Sequence, residues 1–376
     1  MSSNGFPKPS GKYKVGTKVE TLIDESRVEM LGPDKGKEQR KITYRIYYPV
    51  SPDSVDGLKQ GELISREVAE GLKRQFHIGI NYDKKVELGL NNSECYIDAP
   101  HIINEKFPLL IFSHGLLSYK EGNSFLLTEI ASQGYVVISI GHTYASAAET
   151  HADGTITYGD KSCSKNSVQP FLSGFIALMR FRKFKGTPEE EYKKFTELQN
   201  KYCRFNVDMV KEWSKDTEFV LEYAKKSYSD FIDFTPGVAL SGHSLGGATA
   251  YYLCQTNNDF ACGINIDGGL FGDYDNMIMN KPFCFLCNEG NYNVASRVKF
   301  SKTADSYYVT FKDIKHIAFS DIKYFMPMSF VTGKIPADIS HEYQCRCHVD
   351  FLDKYLKGKD LQIKMPESKY IRFEKY

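Results

Sequence analysis

No stretch of this 376-residue chain approaches the roughly 20 consecutive apolar residues that a membrane-crossing helix requires. The opening run Met1-Ser-Ser-Asn-Gly-Phe-Pro-Lys-Pro9 also lacks the apolar core of a secretory leader, so a cytoplasmic location is expected. Charge of one sign is missing too. The 48 Lys and Arg face 47 Asp and Glu, and a balance of +1 gives no reason to expect a nucleic-acid or strongly acidic partner. The nine cysteines are odd in number and scattered, unlike the dense framework of a small secreted scaffold, and reduced thiols are expected. Repeats and low-complexity tracts are absent, so the elements read as one continuous alternation.

What the chain does have is core-forming sequence, 41% hydrophobic and 14% aromatic. Short apolar runs at Phe107–Ser113, Tyr135–Ile140, Gly237–Leu240, Cys262–Ile266, Pro282–Cys287 and Tyr307–Phe311 suit parallel strands covered on both faces. Ile42–Val50 alternates like an antiparallel strand near a sheet edge. Helical spacing over Ser124–Ser132 and Met209–Ala224 falls between the strands. The alternation predicts an α/β fold with a mostly parallel central sheet flanked by helices, as a single domain over residues 1–376. Two segments break it. Residues 57–99 are largely polar and read as an irregular insertion, and residues 162–202 read as a helical, charged, lid-like insertion. Within the second, Pro170–Lys185 joins an aromatic-aliphatic face to a basic run; a helix packed over the core with a solvated cationic end is favoured over a lipid-facing surface.

The most informative run is Val238-Ala-Leu-Ser-Gly-His-Ser-Leu-Gly-Gly-Ala-Thr-Ala250, where an apolar strand meets a helix through a Gly-x-Ser-x-Gly turn. Such a turn presents a serine hydroxyl at the tip of a strained bend, and Gly242 and Gly246 leave room for the backbone to double back. Ser244 is the candidate nucleophile; the plainer reading is a turn whose serine caps the helix.

A serine nucleophile needs a base and a group to orient that base. In this strand–turn–helix setting the chain order is serine, acid, histidine. His316, His341 and His348 follow both the serine and a plausible acid. His341 and His348 border a helical pattern over Tyr343–Leu356, whereas His316 follows the Tyr307–Phe311 strand by a short loop that reaches the carboxyl ends of the strands, so His316 is the expected base. For the acid, Asp267 ends the Cys262–Ile266 strand and Glu289 follows the Pro282–Cys287 strand. Asp267 is preferred for the sharp turn that Gly268-Gly269 allows, and Glu289 stays open. The oxyanion of the tetrahedral intermediate needs two donors, the backbone N–H of Leu245 and that of Leu116 in Phe112-Ser-His-Gly-Leu116. His114 in that loop reads as a loop hydrogen-bonder. The pairs Cys284/Cys287 and Cys345/Cys347 with His348 have the look of metal half-sites, but a buried strand turns positions three apart to opposite faces, and core cysteines are the better reading.

With these residues in place, the chain resembles the platelet-activating factor acetylhydrolases of the plasma and intracellular type II group, calcium-independent phospholipases of the α/β-hydrolase fold. The likeness runs from about Gly11 to Leu356 and is carried by Gly11–Gly16, Arg45–Pro49, Phe112–Leu116, Gly141–Ala147, Gly242–Thr249, Cys262–Asp267 and the His316 loop. It implies Ser244 as nucleophile, Asp267 rather than Glu289 as acid, His316 as base, and the Leu116 and Leu245 amides as the oxyanion hole, with no cofactor and no metal. The implied reaction is hydrolysis of short or oxidised sn-2 acyl groups from phospholipids through an acyl-enzyme, so the partner is a small ester or phospholipid. The chain departs from the family pattern at Gly268-Gly269, where a bulky pair is usual, and at Ile317-Ala318, where a Gln-Asn pair is usual, so the resemblance does not extend to the shape of the acyl pocket. Residues 57–99 are polar where the family carries a membrane-docking helix, so only weak peripheral membrane contact is expected. The alternatives are a dienelactone-hydrolase-like or polyester-type carboxylesterase acting on soluble esters, and a non-catalytic lipid-binding protein.

Overall fold

The computed structural model of the chain describes residues 6–77, 79–163, 176–326 and 328–376. Its strands in chain order are β1 (Lys14–Val28), β2 (Gln39–Val50), β3 (Gln60–Glu62), β4 (Asn92–Ile97), β5 (Phe107–Ser113), β6 (Val136–His142), β7 (Ala148–Thr150), β8 (Ile156–Tyr158), β9 (Ile232–Asp233), β10 (Val238–His243), β11 (Phe260–Ile266), β12 (Ile278–Met279), β13 (Phe283–Asn288), β14 (Lys299–Phe300), β15 (Ser306–Phe311) and β16 (Ile371–Lys375). The helices are α1 (Arg66–Phe76), α2 (Tyr82–Glu87), α3 (Ser124–Ser132), the described part of α4 (176–183), α5 (Pro188–Tyr202), α6 (Arg204–Ser227), α7 (Leu245–Thr256), α8 (Glu289–Ala295), α9 (Ile322–Phe325), α10 (Ser329–Thr332) and α11 (Ala337–Tyr355).

One large sheet runs in the order β16-β15-β13-β11-β10-β5-β6-β2-β1-β4-β3. From β15 to β6 every neighbouring pair is parallel, and antiparallel strands β16 and β2 flank that block. The strand alternation of two divides the apolar runs between two cores. Leu109, Ile111, Val136, Ile138 and Leu240 meet α6 and α7 on one face, while Leu110, Phe112, Val137, Ala239 and Ile264 meet α3 and α11 on the other. This is the mostly parallel α/β architecture that the alternation predicts, and the α/β-hydrolase fold that the resemblance implies.

Two expectations need correction. Residues 57–99 are not irregular: they form β3, α1, α2 and β4, and β4 pairs with β1 to carry the sheet outward. Their polarity misleads because α1 buries only Val68, Ala69, Gly71 and Leu72 and turns the rest to solvent, the pattern of an amphipathic helix. It follows that β2 is not near an edge, since β1, β4 and β3 lie outside it. Of the lid-like segment 162–202, residues 164–175 lie outside the described residues. In the remainder, Phe181 of α4 and Phe195 of α5 join the main core while Arg182, Lys183 and Lys185 are exposed, the arrangement of a helix packed over the core with a solvated cationic end. The start of α5 is fixed locally by Pro188 in its first turn and by a capping box between Thr187 and Glu190. The guanidinium of Arg297 donates to the carbonyls of Phe181 and Arg182 in the last turn of α4 and of Phe184 just beyond it, and so straps this segment to the end of α8. Among the described residues no helix is long and apolar enough to cross a membrane.

Candidate active site

The chemistry-bearing loops all leave the carboxyl ends of parallel strands, where an open α/β sheet collects its ligands. Between β10 and α7 the chain turns through Ser244, which is held at φ 56° and ψ −115°. That backbone conformation costs a non-glycine residue about 1–3 kcal/mol, and it persists because the surroundings leave no alternative. A Cβ on Gly246 would lie 2.0 Å from the Ser113 carbonyl oxygen, and one on Gly242 would lie 2.3 Å from the Gly246 carbonyl carbon, so the turn closes only with hydrogen at both positions. The Ser244 N–H donates to the Ile266 carbonyl at 2.8 Å, tying the bend to β11.

His316 lies in a short 3₁₀ turn after β15, and its Nε2 is 2.8 Å from Ser244 Oγ. Its Nδ1 is 2.7 Å from Asp267 Oδ2. Asp267 follows β11 and is buried, while the His316 side chain remains 44% exposed and so accessible to a substrate. Glu289 is exposed in the first turn of α8, and it is Asp267 that His316 Nδ1 meets. His341 and His348 lie on α11. His348 Nδ1 donates to the Gln344 carbonyl at 2.8 Å and its Nε2 accepts from Ser241 Oγ at 2.9 Å, and His341 packs against Cys345.

On the opposite side of Ser244, the loop after β5 brings Gly115 so near that a Cβ there would lie 3.1 Å from the Ser244 Cβ. Among the described residues, neither the Leu116 nor the Leu245 amide has a backbone acceptor in a turn or loop. Both side chains join an apolar cluster with Met209, Trp213, Phe205 and Phe271 beside the serine. All nine cysteines are free and buried; Cys284 and Cys347 pack with their sulfurs 3.3 Å apart across β13 and α11.

Two supporting residues were not anticipated. Asn288 donates from its backbone N–H to Asp267 Oδ1 at 2.7 Å and from Nδ2 to Oδ2 at 2.8 Å, so the carboxylate is gripped before it meets the histidine. The signal was the register: Ile266 pairs with Leu286, which sets the end of β13 beside Asp267. His243 Nε2 donates to the His316 carbonyl at 3.0 Å, and burial holds its imidazole down to about 3, neutral beside the other histidine. Asn288→Ala removes one charge-assisted hydrogen bond, and kcat is expected to fall roughly tenfold with KM unchanged. Steady-state kinetics on an aryl acetate checks this, and a change confined to KM would contradict it.

A family model described as platelet-activating factor acetylhydrolase, isoform II, matches residues 1–364. The chain belongs to this family. It is 27% identical over 309 residues to the platelet-activating factor acetylhydrolase of Gallus gallus, covering 77% of this chain and 70% of the relative. It is 24% identical over 377 residues to the enzyme of the same name from Cavia porcellus, covering 93% and 78%. A probable 1-alkyl-2-acetylglycerophosphocholine esterase from Arthroderma benhamiae is 25% identical over 286 residues, 72% of this chain and 61% of that protein. In fold it is similar to the ferulic acid esterase from Streptomyces cinnamoneus, with a TM-score of 0.73 at 20% identity over 97% of this chain and 98% of that one. This member of the acetylhydrolase family is a carboxylic ester hydrolase of the α/β-hydrolase fold.

Proposed function

We propose that the chain hydrolyses short or oxidised sn-2 acyl groups of glycerophospholipids, with Ser244 as nucleophile, His316 as general base and acid, and Asp267 as the group that orients the histidine. The observation that carries this reading is the unbroken line from Asp267 Oδ2 through His316 Nδ1 and Nε2 to Ser244 Oγ, with contacts of 2.7 and 2.8 Å. His316 Nε2 accepts the Ser244 proton as Oγ bonds to the ester carbonyl carbon. The oxyanion accepts from the Leu116 and Leu245 amides. Collapse of the intermediate breaks the bond to the lipid alcohol, which leaves with the proton from Nε2. Water, deprotonated by the same nitrogen, then attacks the acyl-enzyme and frees the acid and Ser244. No step calls for a metal or a cofactor.

The substrate class is supported by family membership and by the names of the relatives. We place the protein in the cytoplasm, which its nine free cysteines support, as one α/β-hydrolase domain with weak peripheral membrane contact through the exposed Arg182, Lys183 and Lys185. The test pairs a fluorophosphonate probe with a comparison of an sn-2 acetyl phospholipid and its hexadecanoyl analogue. The expected result is an adduct on Ser244 and a kcat/KM roughly a hundredfold higher for the acetyl lipid. A folded protein that forms no adduct would overturn the esterase assignment. Turnover of aryl acetates with none of either lipid would move the substrate class to soluble esters.

A further inference from the structure

The oxyanion donor at Leu116 shares a peptide plane with the Gly115 carbonyl. In a trans peptide the C=O and N–H point in opposite directions, so whatever fixes the carbonyl behind the plane aims the amide in front of it. The Gly115 carbonyl oxygen is held at 2.6 Å by His114 Nδ1 and at 2.9 Å by the Ser118 N–H. We propose that His114 is a positioning residue for the oxyanion hole, its ring N–H gripping the Gly115 carbonyl so that the Leu116 amide faces the oxygen that attack by Ser244 turns negative.

The ring itself is held in one tautomer. A carbonyl only accepts, so Nδ1 carries the proton, and Nε2 must accept. It does so from Ser146 Oγ at 2.9 Å and from the backbone N–H of His142 at 3.3 Å. Burial, with His142 adjacent, keeps the His114 imidazole well below its ordinary range and therefore neutral, so Nε2 stays free to accept.

Behind His114 stands a rigid charged base. The His142 ring stacks on Trp213 with centroids 3.8 Å apart and planes 4° from parallel. Its Nδ1 donates to Asp216 Oδ2 at 2.9 Å, and its Nε2 accepts from Ser113 Oγ at 3.1 Å. Asp216 is buried and takes Arg40 on both oxygens, at 3.0 and 2.6 Å, and Arg27 at 2.8 Å. Burial opposes its charge, but Arg40 and His142 outweigh burial and hold the carboxyl well below the usual range. Ser113, His114 and Gly115 are thus tied in succession to one charged cluster drawn from β1, β2, β6 and α6. A loop fixed in this way needs no rearrangement as negative charge develops, which is the condition under which an oxyanion donor is most effective.

This role rests on the serine-esterase reading, and the experiment separates the two. His114→Ala and His114→Asn are compared with wild type for kcat and KM on an aryl acetate and for inhibition by a trifluoromethyl ketone, whose adduct with Ser244 carries an oxyanion. His114→Ala is expected to lose about 10- to 100-fold in kcat, with KM nearly unchanged and ketone affinity weakened by the same factor. His114→Asn, whose amide places a donor near the Nδ1 position, recovers most of that loss. Unchanged kcat in His114→Ala, or a loss confined to KM, would overturn the role. Should His114→Ala fail to fold, His114→Asn is set against His114→Gln, whose longer side chain carries its amide past the Gly115 carbonyl: a clear advantage for asparagine supports the role, and equal activity overturns it. A wild-type protein without turnover or Ser244 adduct would instead count against the esterase reading itself.

Discussion

Ser244→Ala is expected to lower kcat about 10⁶-fold on any ester the wild type hydrolyses, leaving only what the oxyanion donors and binding supply. The magnitude follows from removing the atom that, in the proposed reaction, forms the acyl-enzyme. His316 Nε2 points at Ser244 Oγ, and a water standing in that place would lack the covalent step. Stability should hardly change, because alanine meets the same strained φ of 56° that serine does and the side chain makes no other hydrogen bond in the described structure. Kinetics and thermal unfolding of the purified variant check both halves. Retention of more than about 1% of activity would remove Ser244 from the reaction.

Asp267→Asn is expected to cost about 10⁴-fold in kcat, with Glu289→Gln close to wild type. Asp267 Oδ2 faces His316 Nδ1 at 2.7 Å, and as a carboxylate it only accepts, so the ring proton lies on Nδ1 and the lone pair of Nε2 faces the serine. Asparagine turning its amide toward the ring offers a donor there. The ring proton then moves to Nε2, and the base presents a hydrogen where it must accept one. Asn288 reinforces this outcome: its own N–H groups occupy both Asp267 oxygens, so an amide at 267 cannot satisfy Asn288 and His316 together. Kinetics on an aryl acetate measures the pair of variants. A large loss in Glu289→Gln with little in Asp267→Asn would reverse the assignment of the acid.

How much of this was legible before the structure depended on how local each feature is. Ser244 stood out because its strand, turn and helix lie within one short run, and His316 because a single loop delivers it to the correct end of the sheet. The acid was harder. Both β11 and β13 end near a carboxylate, and spacing along the chain does not say which side chain turns toward β15; the register does, by setting Asn288 against Asp267 and sending Glu289 into the solvent-facing turn of α8. Residues 57–99 went unread because β3 spans three residues and α1 hides a narrow apolar stripe in polar sequence. The His142–Asp216–Arg40 cluster could not be seen at all. Its members come from β6, α6 and β2, and nothing in any one of those segments marks a buried charge as partnered.

The order of the strands has a consequence for how activity arises during folding. Leu116 follows β5, Ser244 follows β10, Asp267 follows β11 and His316 follows β15, so the four residues of the proposed site converge only after strands far apart along the chain have paired. A chain that ends between α7 and β15 would lack His316 and so carry Ser244 without the base proposed for it. Such non-local pairing is slow to form. Esterase turnover therefore reports that the sheet has paired from β5 across to β15, a step later than formation of the local helices.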